Sequence, residues 1–242
     1  YQAMIRFVSL AEDAPELRFS PVYKAGRAVL MQSATKQGIR LTRTGAFNRD
    51  FVDLTAREWN WPGMDYAELI RGRQFIRETD FLALQTIHQL LLKLRLASHD
   101  GGYFRITRRG QQLLSCSAML FSELIPYYIL CVDHVAVTGY AEPPPGDWQC
   151  WLSSVEAMPD AGFSESDIFH SVYENCIGPA SLDCHYKSAF VSAVLRPLLW
   201  AGLIHVPASM KVSGHRERRY CKTPLWHAAL TRDVRVSALR SY

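Results

Sequence analysis

The chain has 242 residues, of which 48% are apolar, 12% aromatic and 21% charged. That is enough apolar material for a packed core, which excludes a chain disordered throughout. The most apolar window, 118–137, is interrupted by Glu123, Pro126, Asp133 and His134, so a membrane helix of about twenty apolar residues is not expected. No cleavable signal is expected, and the start, Tyr1-Gln2-Ala3-Met4, reads as an internal or trimmed terminus.

In chain order, Ser20-Pro21 opens a helix, with the serine as cap and the proline in the first turn, and Gly38 closes it after Gln37. Ile39 to Thr42 is a short strand. Thr44 or Asn48 opens a second helix carrying Phe47, Phe51, Leu54 and Glu58 at helical spacing, ended by Trp59-Asn60-Trp61-Pro62-Gly63. A third helix is expected from Thr79 to Leu96, with Glu78 and Asp80 at its positive end. Gly101-Gly102 turns the chain, Tyr103 to Ile106 alternates as a strand, and Thr107 caps a helix through Leu114. The window 118–137 reads as one or two buried helices. Pro143-Pro144-Pro145, inside 139–146, reads as a stiff linker.

Beyond the linker, Trp148 to Met158 is helical, and Ser164-Glu165-Ser166-Asp167 is a capping box for a helix to Asn175. Residues 177–181 turn. Asp183 caps a long helix to Ala201, closed by Gly202, with Pro197 expected to kink it. Leu203 to Val206 and Arg219 to Lys222 are strands flanking a polar, basic loop, and Thr223-Pro224 starts a last helix. The expected domains are a helical region with a short strand over 1–62, a unit over 63–138 and a C-terminal unit over 147–242.

Helix, turn, helix, strand, loop, strand, helix thus occurs twice. One copy carries Leu94-Arg95-Leu96, the glycine turn and Ile106-Thr107-Arg108-Arg109-Gly110. The other carries Ala201-Gly202-Leu203-Ile204 and Cys221-Lys222-Thr223-Pro224-Leu225-Trp226, with Trp226 at the glycine position. Over about 65–115 and 160–230 this pattern resembles the winged-helix branch of the helix-turn-helix superfamily, in tandem. The run from Leu41 to Gly45 with its following helix also resembles uncharacterised bacterial winged-helix proteins. The resemblance implies a mainly α fold with small β-hairpins, a threonine cap after each hairpin and a glycine that turns the chain there. For function it implies DNA binding in bacterial transcription control, and a homodimer that the apolar 118–137 stretch would supply.

Charge distribution points to the second copy. Residues 1–110 carry 17 basic and 11 acidic side chains, 111–184 carry ten acids and no Lys or Arg, and 185–242 carry ten basic and two acidic side chains. A basic C-terminal third suits a polyanion. In the first copy the third helix is apolar on both faces and acidic at its start, which suits a buried element. In the second, Phe190, Val191, Val194, Leu195 and Leu198 form a core face. His185, Ser188, Ala189, Ser192 and Arg196 lie opposite, with Lys187 at the first turn. Lys211, His215, Arg216, Arg218 and Arg219 follow on the hairpin, where each cation on phosphate would release a counterion. The expected interface with double-stranded DNA is therefore His185, Lys187, Ser188, Ser192, Arg196, Lys211, His215, Arg216, Arg218 and Arg219. The alternative is a protein-interaction or scaffold module whose two units pack internally.

An enzyme is not expected. No phosphate loop, His-Glu-x-x-His or Gly-x-Ser-x-Gly occurs. Cys131, Asp133 and His134 are close in sequence, but a helix points Asp133 away from the other two. Glu165 and Asp167 read as helix-start acids. His170, Cys176, Cys184 and His185 match no zinc spacing, so neither metal nor cofactor is expected. The six cysteines contain no Cys-x-x-Cys, which reads as buried free thiols in the cytoplasm.

Overall fold

The structure is a computed structural model and describes residues 4–138, 143–176, 184–207 and 218–233. It is mainly helical with small antiparallel sheets, and it divides into a unit of residues 11–128 and a unit built from residues 1–10 and 129–242. The chain opens with β1 (Met4–Phe7), which belongs to the second unit.

The unit of residues 11–128 begins with α1 (Pro21–Ser33). Ser20 Oγ accepts from the Tyr23 N–H at 3.1 Å, with Pro21 where no donor is needed. The helix ends at Ser33, four residues before the expected Gln37, and Gly38 follows at φ 70°. Then come β2 (Ile39–Arg40), α2 (Arg49–Glu58), α3 (Tyr66–Ile70) and α4 (Leu82–Lys93). After α4 come β3 (Ala97–Asp100), β4 (Tyr103–Ile106), α5 (Arg108–Leu114) and α6 (Ser117–Cys131). The expected helix from Thr79 is shorter, because a 3₁₀ turn over Glu78–Asp80 precedes it.

The sheet order is β2–β4–β3, with Ile39 opposite Phe104 and Ala97 opposite Ile106. Gly101 and Gly102, at φ 56° and 82°, supply the paired positive φ that a two-residue hairpin needs. β2 lies before the expected boundary at residue 62 and pairs with β4 beyond it, so 1–62 and 63–138 are not separate bodies. Val22 and Val29 of α1, Leu84, Ile87 and Leu91 of α4, Phe104, and Leu120 and Leu124 of α6 are buried. α4 buries one face, Ala83, Leu84, Ile87, His88, Leu90 and Leu91, while Leu82, Gln85 and Leu92 are half-buried and Gln89 is exposed, so it is not buried on both sides as its apolar faces imply.

In the other unit, α7 (His134–Thr138), α8 (Trp148–Ala157), β5 (Phe163–Ser164) and α9 (Glu165–Cys176) precede α10 (Cys184–Phe190). A π-helical turn at Val191–Leu195 joins α10 to α11 (Arg196–Ala201). β6 (Ile204–His205), β7 (Arg219–Lys222), α12 (Pro224–Ala229) and β8 (Leu230–Asp233) complete it. The second sheet is ordered β5–β7–β6, the same order as the first. The expected linker lies inside this unit, because α7 packs on residues 191–195 and the His134 ring meets the Trp148 ring edge-on at 5.8 Å. β1 pairs with β8, Met4 opposite Asp233. The Gln149 amide holds the Ile5 backbone N–H and carbonyl, both at 3.0 Å.

Pro197 does not break the helix. Proline supplies no N–H and crowds the preceding turn. The π turn absorbs this: the Arg196 N–H donates to the Val191 carbonyl, five residues back. Cys116, Cys131 and Cys221 carry free thiols, but Cys131 is exposed and Cys150 is disulfide-bonded, against the expectation of buried free thiols throughout. Spacing along a chain does not report which thiols meet in space.

Among the described residues no single helix is long and apolar enough to cross a membrane; α5 and α6 pass that test only as a pair bent by 114°.

Candidate nucleic-acid interface

Three elements frame the candidate surface: α9, the long helix of residues 184–201, and the β6–β7 hairpin. Ser164 and Asp167 form the expected capping box at the start of α9. The Asp167 N–H donates to Ser164 Oγ at 3.1 Å, and the Ser164 N–H donates to the Asp167 carboxylate at 2.8 Å. At the other end of the long helix Gly202 is left-handed, φ 79°, and its N–H returns to the Leu199 carbonyl at 3.1 Å.

The helix surface is more closed than its sequence pattern implies. Ser188 is exposed, Ser192 and Arg196 are half-buried, and Ala189, expected on the polar face, is 1% exposed. Val191, expected in the core, is half-buried. The π turn is the reason. One extra residue in the turn advances the helix face, so a pattern laid out at 3.6 residues per turn loses register across residues 191–195.

Lys187 does not swing outward. Its Nζ donates to Ser166 Oγ at 2.7 Å, tying the long helix to the first turn of α9. The Arg196 guanidinium lies over the Trp200 ring, 5.5 Å from its centre. His185 lies in α10, with its side chain outside the described residues. Lys211, His215 and Arg216 also lie outside them.

Arg218 and Arg219, at the foot of the hairpin, are both exposed, and among the described residues neither enters a salt bridge, though Arg218 hydrogen-bonds the Tyr220 hydroxyl. The Arg219 guanidinium donates to the Gly162 carbonyl at 3.3 Å, just before β5. Beside them Tyr220 is buried, and its hydroxyl donates to Glu165 Oε1 at 3.1 Å. Burial, then the Glu165 charge, pushes the Tyr220 pKa well above the ordinary phenol value, so it stays protonated and holds that acid.

Two acids near the hairpin are likewise occupied. Glu156 accepts from Trp226 Nε1 at 2.6 Å. Asp160 pairs with Lys222 Nζ at 3.0 Å, and Lys222 also donates to the Glu156 carbonyl at 2.9 Å. Lys222, only 5% exposed in its side chain, is thus a structural cation. A hairpin lysine alternating with core residues carries no sequence signal that separates these two roles. The Lys187–Ser166 tie is also invisible in sequence, because it joins residues 21 positions apart.

No group of three or more His, Cys, Asp or Glu able to hold a metal occurs among the described residues. One open cavity of about 590 Å³ lies in the other unit, between Arg49, Asp53, Arg57, Tyr66 and Phe75. Asp53 there binds Arg57 at 2.7 Å and the Tyr66 hydroxyl at 3.1 Å, and the Arg57 bond holds its carboxyl below the ordinary range.

Residues 18–119 match the model of the Y4jL N-terminal domain, and residues 139–224 match that of the y4jL C-terminal domain. A curated relative, the uncharacterized protein y4jL of Sinorhizobium fredii (strain NBRC 101917 / NGR234), is 26% identical over 172 residues, covering 71% of this chain and 78% of that protein. No solved structure matches the chain.

Proposed function

We propose that the chain is a DNA-binding protein that acts in bacterial transcription control through a winged helix in its C-terminal unit. The observation that carries this reading is the pair of exposed arginines, Arg218 and Arg219, at the foot of a hairpin that follows directly on a long helix. Supporting it, β5, α9, the helix of residues 184–201 and the β6–β7 hairpin follow one another in the chain order of a winged helix, with a three-stranded sheet ordered β5–β7–β6. The segment between β6 and β7 adds Lys211, His215 and Arg216 in sequence. On this reading Ser188 is the side chain best exposed for close approach, and Arg196 is the base-reading cation.

The unit of residues 11–128 takes a different part. The open face of its equivalent helix, α4, carries half-buried Leu82, Gln85 and Leu92 and exposed Gln89, which favours a packing or protein-binding role over contact with DNA. Exposed Met119 on α6 is in keeping with the expected homodimer.

Replacing Arg216, Arg218 and Arg219 together with alanine tests the wing. Affinity should fall for every duplex alike, whereas Arg196→Ala should change the preference among sequences. Unchanged affinity in the triple variant would remove the wing from the account.

A further inference from the structure

Three titratable side chains in the unit of residues 11–128 form a continuous chain from core to solvent. Glu78 is 5% and His88 2% exposed. Glu78 Oε2 accepts from the Phe47 backbone N–H, and its Oε1 lies 2.6 Å from His88 Nδ1. His88 Nε2 lies 2.9 Å from His99 Nε2. The His88 ring stacks on Phe47 at 4.2 Å and meets Phe104 edge-on at 4.8 Å, which fixes its orientation. His99, on β3, is exposed, and its Nδ1 side faces Gly45, where an added Cβ would come within 3.4 Å.

These contacts dictate the proton positions. An ionised carboxylate only accepts, so His88 donates to Glu78 through Nδ1–H. A neutral imidazole carries one N–H, so His88 Nε2 is a lone pair, and His99 must donate to it through Nε2–H. The one basic nitrogen left is His99 Nδ1, at the surface. A proton taken up there keeps every hydrogen bond, and it can pass to His88 to make an ion pair with Glu78. A second proton cannot be held the same way. It leaves two N–H donors facing each other across the His88–His99 link, which must then open.

We propose that Glu78, His88 and His99 form a proton-operated latch between α4 and the β3–β4 hairpin, closed with no or one extra proton and opened by the second. The charged groups acting on His99 are His88 and Glu78. Phe47 and Phe104 on either side carry no charge, the Thr42 and Thr44 hydroxyls in the facing loop bond each other at 3.1 Å, and neighbouring Asp100 is paired with Arg105 at 3.5 Å. Burial, and then His88, lower the His99 pKa below the ordinary imidazole value, so the latch is closed at neutral pH.

Imidazole ¹⁵N NMR on the full chain tests this across a pH titration. At neutral pH His88 should show the Nδ1–H tautomer and His99 the Nε2–H tautomer. In the acid limb, hydrogen-exchange protection of residues 97–106 should fall by about fivefold, the loss expected for one hydrogen bond. His99→Asn changes an exposed side chain and leaves the core intact. It should abolish the acid-limb change in the hairpin. A His99 Nδ1–H tautomer at neutral pH, an acid-limb change that persists in the variant, or hairpin protection that ignores pH in the parent would each overturn the proposal.

Discussion

Arg95 and Gly202 occupy the same place in the two units. Each follows the helix that leads into a hairpin, and each is left-handed, at φ 57° and 79°. The next residue closes the turn in the same way: the Leu96 N–H donates to Leu91 at 2.9 Å, and the Leu203 N–H to Leu198 at 3.0 Å. Glycine takes this conformation freely and arginine does not. Arg95→Gly should therefore stabilise the protein by up to about 1 kcal/mol, reduced by the glycine's extra freedom when unfolded. Gly202→Ala should cost about 1 kcal/mol. Urea midpoints of the two variants check both signs.

The residue three places after each capping threonine does different work in the two units. Thr107 and Thr223 match: each hydroxyl donates to the helix-exit carbonyls, Arg95 at 2.7 Å and Gly202 at 2.6 Å, and each caps the following helix. Gly110 does not turn the chain, as the sequence pattern implied. It sits inside α5, and a Cβ there would lie 2.0 Å from the Leu96 carbonyl oxygen. Gly110→Ala should cost at least about 3 kcal/mol, the upper end for overpacking, because backbone rather than a flexible side chain must yield. Its counterpart Trp226 is 1% exposed and bonds Glu156 instead. Trp226→Phe should cost about 1–3 kcal/mol by leaving that carboxylate without its donor. Chemical denaturation measures both.

The pair between Asp160 and Lys222 gives the C-terminal unit an acid dependence. The Lys222 ammonium holds the Asp160 carboxyl below the ordinary carboxylate value. A depressed acid contributes stability that is present above its unfolded pKa and lost as pH falls through the folded one. Asp160→Asn should lower stability at neutral pH and flatten this part of the acid limb. Denaturation midpoints of parent and variant, followed from neutral pH downward, should converge in acid. Parallel curves would show that Lys222 is held by the Glu156 carbonyl alone.

Local signals were readable along the chain, and long-range ones were not. Ser20-Pro21, the Ser164 box, Thr107 and Thr223 announce helix starts because a cap bonds within three residues. Glu78 also has the sequence of a helix-start acid. It is instead buried, with partners at Phe47 and His88, 31 and 10 residues away. The β1–β8 pairing joins chain positions 4 and 233 and has no local pattern. At the candidate interface, the exposure of Ser188, Arg218 and Arg219 agrees with their sequence setting. Ala189 and Lys187 do not follow it, because a π turn and a hydroxyl on another helix redirect them.

In the proposed function, the β6–β7 hairpin and the helix before it lie on nucleic-acid phosphates. The most direct measurement is the affinity of the full chain for a random-sequence duplex at low and at moderate salt. The account expects tight binding at low salt that weakens steeply as salt rises, with a smaller slope once Arg216, Arg218 and Arg219 are replaced. Absence of binding at low salt, or an affinity indifferent to salt, would contradict it.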